Sequence, residues 1–150
     1  MKPFSRFREN KLFHVYFILM LLVYVGYIVL DNYRYKFSET MKKSFFTQED
    51  IHNFTQLGKW TSIFEIMFLL VFIVSMIICC YKKDMKILKD FVLVNIALFI
   101  GIAGMGYVLS LITPTPIGNL LEPLLVPAYL IGGLLIYMLW RLIKKRKLVE

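Results

Sequence analysis

Four long apolar stretches constrain the fold of this chain more strongly than any other feature of its sequence. A helix needs about 20 apolar residues to cross the ~30 Å hydrocarbon core of a bilayer, where it satisfies its own backbone hydrogen bonds. The stretches lack the apolar–polar alternation of barrel strands. The sequence therefore predicts an all-α membrane protein, a four-transmembrane-helix bundle in one membrane domain, with spans at 12–30, 60–81, 91–113 and 120–140.

Composition and charge agree with this prediction. Hydrophobic residues make up 59% of the 150 residues, and the formal net charge is +8. In a soluble protein such a charge would indicate nucleic-acid binding, but here the basic residues crowd the ends of the apolar stretches. We therefore expect the chain to contact a bilayer with anionic headgroups at the cytoplasmic face, and we expect no nucleic-acid partner.

The distribution of Lys and Arg predicts how the chain is threaded. The segments 1–11, 82–90 and 141–150 together carry thirteen basic residues, whereas the segments 31–59 and 114–119 together carry five. Basic residues favour the cytoplasmic side of a membrane. This bias predicts a multi-pass protein of the plasma (cell) membrane with cytoplasmic N- and C-termini, an inner loop at 82–90, a cytoplasmic tail at 141–150, and outer loops at 31–59 and 114–119.

The first outer loop, 31–59, is predicted to contain a short amphipathic helix. Thr47 stands three residues before Asp50, as in a capping box, and Ile51, Phe54 and Leu57 follow at helical spacing. The predicted helix lies on the membrane or on the bundle. In the inner loop, Asp90 is predicted to cap the third span.

Small residues in the last two spans predict where helices approach each other closely. Lipid provides no hydrophobic drive between helices, so small side chains mark their contact faces. The short 114–119 loop predicts a tight hairpin of the third and fourth spans, against which the first two lean; the same face would also suit a homodimer. Asn95 is predicted to donate an interhelical hydrogen bond. The predicted packing residues are Ala97, Gly101, Gly104, Ala128 and Gly132.

Two acidic residues interrupt the apolar spans and mark a candidate polar pocket. Glu65 and Glu122 both lie near the predicted outer ends of their spans, and an intramembrane carboxylate is costly enough to indicate function. Ser62 and Asn119 each precede a glutamate by three residues, so helix capping is the alternative explanation. The predicted outer-leaflet pocket consists of Glu65, Glu122, Tyr24, Tyr27, Tyr107 and Ser110.

Catalytic and metal-binding patterns are weak in this sequence. Cys79 and Cys80 are adjacent, which is not a zinc-binding spacing. Asp50 and His52 leave open a metal site, or an acid–base pair that acts on lipid at the outer face. We expect no metal, no cofactor and no catalytic residues.

The resulting functional expectation is a non-enzymatic membrane protein. The first hypothesis is an accessory, regulatory or immunity-like partner that acts through helix–helix and outer-loop contacts, with a larger membrane protein or a second copy as its partner. The alternative is a proton- or cation-coupled small transporter subunit that uses Glu65 and Glu122 and functions as an oligomer.

Overall fold

The computed structural model describes residues 11–41, 47–81, 84–113 and 115–146, which are almost entirely helical. The parts of the predicted loops and termini at 1–10, 42–46, 82–83, 114 and 147–150 lie outside the described residues. The elements in chain order are α1 (Lys11–Met41), α2 (Gln48–Tyr81), α3 (Met85–Ile112), α4 (Ile117–Leu121), a 3-10 turn (Glu122–Leu124) and α5 (Leu125–Arg146). The fourth span comprises α4, the 3-10 turn and α5.

Within the described residues, four helical segments are long and apolar enough to cross a membrane. Their outward faces are covered by large apolar side chains: Leu22, Ile100 and Ile136 are 64%, 68% and 70% exposed. Water would strongly disfavour so much contiguous apolar surface, whereas lipid would not. The fold thus supports a multi-pass helical membrane protein, as the four apolar stretches predict.

The helices alternate in direction, so the bundle has two distinct ends. At the hairpin end, α1 finishes and the α3–α4 connection lies beside it, where the Thr115 hydroxyl donates to Asn32 Oδ1 at 3.1 Å. At the opposite end, the tail end, Cys79 of α2, Asp84 before α3 and Arg141 of α5 line one cavity. The ends differ in chemistry, and the candidate site lies at the hairpin end.

The first two helices extend well beyond the predicted spans. α1 continues to Met41 and α2 begins at Gln48, so most of the predicted 31–59 loop is helical. The expected capping box is present: the Asp50 backbone N–H donates to Thr47 Oγ1 at 3.1 Å, and the Thr47 N–H donates to Asp50 Oδ2 at 3.0 Å. It starts the long α2 and not a separate amphipathic helix. Once a helix is nucleated, each added residue gains a hydrogen bond, so the polar turns continue into the span.

The third span also begins earlier than its apolar pattern indicates. Asp84, not Asp90, is the N-cap of α3, and its side chain accepts a hydrogen bond from the Lys86 backbone N–H at 2.8 Å. Asp90 lies inside the helix. The first two turns of α3 carry charged residues, so this helix begins before the apolar stretch 91–113.

Aromatic and large aliphatic side chains form the core, and this corrects the predicted packing. The α1–α2 pair is the most extensive helix contact in the bundle, where Gly26 lies directly against the ring of Phe64. The buried side chains of the core include Met20, Tyr24, Phe68, Phe72, Phe91, Leu98 and Ile102.

The predicted small-residue packing face points away from this core. Ala97, Gly101 and Gly104 are exposed, and α3 buries its other side, with Leu98 and Ile102. On the fourth span Ala128 is exposed, and a Cβ added to Gly132 would meet nothing within 4 Å. Large side chains bury more contact area than glycine or alanine, so they take the interior of this four-helix bundle.

Candidate functional site

Two tyrosines of α1 tie the first helix to the start of the fourth span. Tyr24 and Tyr27 are buried, and their hydroxyls donate to the backbone oxygens of Leu120 at 2.9 Å and of Asn119 at 2.7 Å. Pro123 has no N–H, so the Asn119 carbonyl cannot accept the usual bond from four residues ahead. The Glu122 N–H and the Tyr27 hydroxyl bond to it instead. Both tyrosines therefore have structural roles next to the predicted pocket.

Glu65 of α2 and Glu122 of the 3-10 turn line the same cavity, which has a volume of about 230 Å³. The two carboxylates interact electrostatically. Ser62, Pro123 and Pro127 also line the cavity. The sequence separates these glutamates by more than a full span, and the fold brings them to the same cavity.

The capping explanation does not fit either glutamate. Glu65 lies deep inside α2, which begins at Gln48, so no free helix-terminal N–H groups surround it. For Glu122, the residues before α4 and before the 3-10 turn, Pro116 and Leu121, make no side-chain capping hydrogen bond. The cost of placing these carboxylates in an apolar bundle is therefore not offset by a capping box.

The remaining two predicted pocket residues lie elsewhere. Tyr107 is 58% exposed on the outward side of α3. The Ser110 hydroxyl donates to the Tyr107 carbonyl oxygen of its own helix at 2.8 Å. Both residues lie near the hairpin end of α3 but on a different side of this helix, so they do not line the cavity.

The sequence analysis missed Asp31, the most buried acidic residue at this end. Asp31 is 3% exposed, Arg34 Nη1 lies 3.9 Å from its Oδ1, and Glu122 interacts with it electrostatically. Asp31 directly follows the apolar stretch 12–30, so hydropathy places it in the outer loop. The absence of Pro and Gly from residues 31–41 was the available signal that the helix continues.

The tail end has a simpler polar feature, in which Asn95 makes an interhelical hydrogen bond as the acceptor and not as the predicted donor. Asn95 is fully buried, its Oδ1 accepts a hydrogen bond from the Tyr16 hydroxyl at 2.5 Å, and its Nδ2 donates to the Phe91 carbonyl at 2.9 Å. Each polar atom of the side chain therefore has a partner. The pair links α1 to α3 and leaves no free group for a ligand.

Within the described part of the chain, no group of three or more His, Cys, Asp or Glu side chains is arranged to hold a metal ion. Asp50 caps α2, and the exposed His52 lies beside Gln56 on the same helix, with 3.3 Å between their Nε2 atoms. Cys79 is buried, Cys80 is exposed, and neither is in a disulfide. The acidic groups of the hairpin end are thus the chemically distinctive feature of the bundle.

Comparisons with known proteins found no match: no protein-family model, curated protein or solved structure matches the chain. Its function is therefore inferred from its own geometry.

Proposed function

We propose that this chain is a plasma-membrane protein with cytoplasmic termini that acts as a non-enzymatic accessory, regulatory or immunity-like partner of a larger membrane protein. The observation that carries the proposal is the open face of α3. Ala97, Gly101 and Gly104 lie at helical spacing on its exposed side, and Cβ atoms added at either glycine would meet nothing within 4 Å.

This open face has the chemistry of a helix-docking surface. Helices associate in lipid through close backbone approach, which small residues permit, and not through a hydrophobic drive. The bundle does not use the face for its own packing, and glycine weakens an exposed helix relative to alanine. A transmembrane helix of a partner protein would bring its backbone close to α3 along this face.

Charge distribution supports the proposed orientation. Lys86, Lys89, Arg141 and Lys144 are exposed at the tail end, where α1 begins and α5 ends, as cytoplasmic segments require. At the hairpin end, Asp31, Glu65 and Glu122 form the acidic group. Partner contacts made by the outer loops would accordingly involve a more acidic surface than contacts made at the tail end.

The test is to fill the α3 face without disturbing the fold. Gly101→Leu has open space for its side chain, so we expect the bundle to fold but recovery of the cross-linked partner from native membranes to fall about tenfold, which corresponds to ~1.4 kcal/mol. Ile100→Leu, also exposed but with an equally large side chain, is the matched control. Equal recovery from both variants would refute the docking surface, and cross-links that join only two copies of this chain would show a homodimer instead.

A second function, a proton- or cation-coupled transporter subunit, is favoured by the cavity that Glu65 and Glu122 share. Two nearby carboxylates in a medium of low dielectric constant repel each other, so one bound proton or cation stabilises the pair. Four helices enclose little space for a substrate path, so transport would require an oligomer.

Flux in proteoliposomes tests this alternative. Glu65→Gln keeps the shape of the side chain but removes the charge, so we expect proton- or cation-linked flux to be abolished. Glu49→Gln, in the first turn of α2 and away from the cavity, is the control and should retain the flux. Unchanged flux in Glu65→Gln would exclude the glutamate pair as the coupling site.

A further inference from the structure

A second polar cavity lies at the hairpin end, apart from the cavity of Glu65 and Glu122. It has a volume of about 70 Å³ and is lined by Asp31, Arg34, Tyr35, Ser38, Phe54 and Asn119. Asp31 is 3% exposed, and its buried Oδ2 has no hydrogen-bond partner among the described residues. Because buried polar atoms are nearly always paired, an unpaired carboxylate oxygen beside a cavity indicates a missing ligand.

The groups around Asp31 leave this oxygen free. Arg34 approaches the other oxygen, with 3.9 Å between its Nη1 and Asp31 Oδ1, and the guanidinium lies 5.5 Å from the centre of the Phe54 ring. The ring on α2 therefore helps to hold the Arg34 guanidinium in place.

Charge and size restrict what this cavity can accept. Among the described residues, Arg34 and Glu122 are the charged side chains that interact electrostatically with Asp31. Arg34 lines this cavity with Asp31, whereas Glu122 lines the other cavity and acts on Asp31 from outside. When Glu122 is counted, the two carboxylates and one guanidinium leave one negative charge, which a single positive charge balances. A water molecule occupies about 30 Å³ of liquid, so this cavity has room for a dehydrated ion with a water but not for a lipid headgroup.

We propose that the Asp31 cavity binds a small monovalent inorganic cation of the sodium class. Asp31 Oδ2 is the charged ligand, and the hydroxyls of Tyr35 and Ser38 and the Asn119 amide provide the neutral oxygens among the lining groups. Hard cations prefer such all-oxygen surroundings. A divalent ion is disfavoured, because Arg34 already neutralises one of the two negative charges. The bound ion would hold α1, α2 and α4 together at the hairpin end.

Thermal unfolding of the purified full chain in nanodiscs tests this site, with NaCl compared against choline chloride at equal ionic strength. An ion that binds the folded state raises its stability with concentration, so we expect Tm to rise by about 3–6 °C at ten times the dissociation constant. Choline is too large for the cavity and should have no such effect. Asp31→Asn should abolish the sodium dependence, while Glu49→Gln, in the exposed first turn of α2 and outside both cavities, should keep it.

A milder variant keeps the test decisive if Asp31→Asn does not fold. Ser38→Ala removes one neutral oxygen from the lining and should shift the saturation of Tm to higher sodium concentrations. Equal Tm in both salts for the unaltered protein would overturn the proposal and indicate that the cavity holds only water. A sodium dependence that survives Asp31→Asn, or saturation that Ser38→Ala leaves unchanged, would also overturn it. These outcomes are independent of partner recovery and of flux through the Glu65–Glu122 cavity.

Discussion

At the scale of single residues, the Tyr16–Asn95 pair gives the clearest energetic prediction. Tyr16→Phe removes the donor and leaves Asn95 Oδ1 buried without its 2.5 Å partner. We expect the free energy of unfolding to fall by about 1 kcal/mol. Asn95→Leu replaces the acceptor, so the double variant should be more stable than the two single effects predict, with a coupling of ~0.6–1.7 kcal/mol. Reversible unfolding in mixed micelles measures the four free energies.

The control for this cycle is Tyr107→Phe. Tyr107 is 58% exposed on α3, so the loss of its hydroxyl should leave stability within about 0.5 kcal/mol of the original. Strictly additive effects of the Tyr16 and Asn95 substitutions would mean that the two side chains do not stabilise the bundle through their hydrogen bond.

Whether the position and contacts of a residue could be predicted depended on how strongly its local sequence constrains them. Asn95 could be predicted to form a hydrogen bond because a buried amide in an apolar span has to find a partner. Glu65 and Glu122 could be placed at a similar depth because both lie near the outer ends of their apolar stretches. Tyr107 and Ser110 could not be excluded, because depth does not determine which way a side chain faces around a helix. Asp31 was missed because its burial depends on α2 and α4, and not on its own neighbours in sequence.

At the scale of helices, two glycines make a matched pair. Gly26 lies at the α1–α2 contact, where a Cβ would overlap the Phe64 ring, whereas Gly101 on α3 faces open space. Gly26→Ala should therefore destabilise the bundle by about 1–3 kcal/mol through overpacking. Gly101→Ala should be neutral or stabilising by up to ~1 kcal/mol, because alanine favours a helix. The difference in unfolding free energy between the two variants is the measurement.

Relief of the overlap provides the check on this prediction. Phe64→Leu in the Gly26→Ala protein shortens the ring that the new methyl group meets, so it should recover part of the lost stability. If Gly26→Ala and Gly101→Ala had the same effect on stability, the close α1–α2 contact at Gly26 would be contradicted.

The existence of the helices was predictable, but their ends and their buried faces were not. The length of an apolar stretch reflects the thickness of the hydrocarbon core and not the full length of the helix. The apolar stretch of α1 ends at residue 30, but the helix continues to Met41. The small residues of α3 indicate a face suited to close contact. Whether that face turns inward depends on the competing bulk of residues such as Phe91 and Leu98, which only the assembled bundle determines.

At the scale of the whole molecule, the bundle is polarised along its axis. The carboxylates of Asp31, Glu65 and Glu122 lie at the hairpin end, whereas Lys86, Lys89, Arg141 and Lys144 are exposed at the tail end. Because the four helices alternate in direction, charged residues that are far apart in the sequence come together at two chemically distinct ends of the bundle. The acidic cavities and the basic end can therefore face different compartments, which an ion site near one surface requires.

Labelling of single cysteines tests this threading. In a Cys79→Ala/Cys80→Ala background, Gly118→Cys adds a thiol at an exposed position of the α3–α4 connection, where a Cβ meets nothing within 4 Å, and Lys86→Cys adds one at the exposed start of α3. A membrane-impermeant maleimide should label Gly118→Cys in intact cells and Lys86→Cys only after permeabilisation, since basic residues are retained in the cytoplasm. Labelling of both in intact cells would show two orientations. Labelling of Lys86→Cys alone would reverse the topology and place the Asp31 cavity on the cytoplasmic side, where sodium is scarce and potassium would be the competing ion.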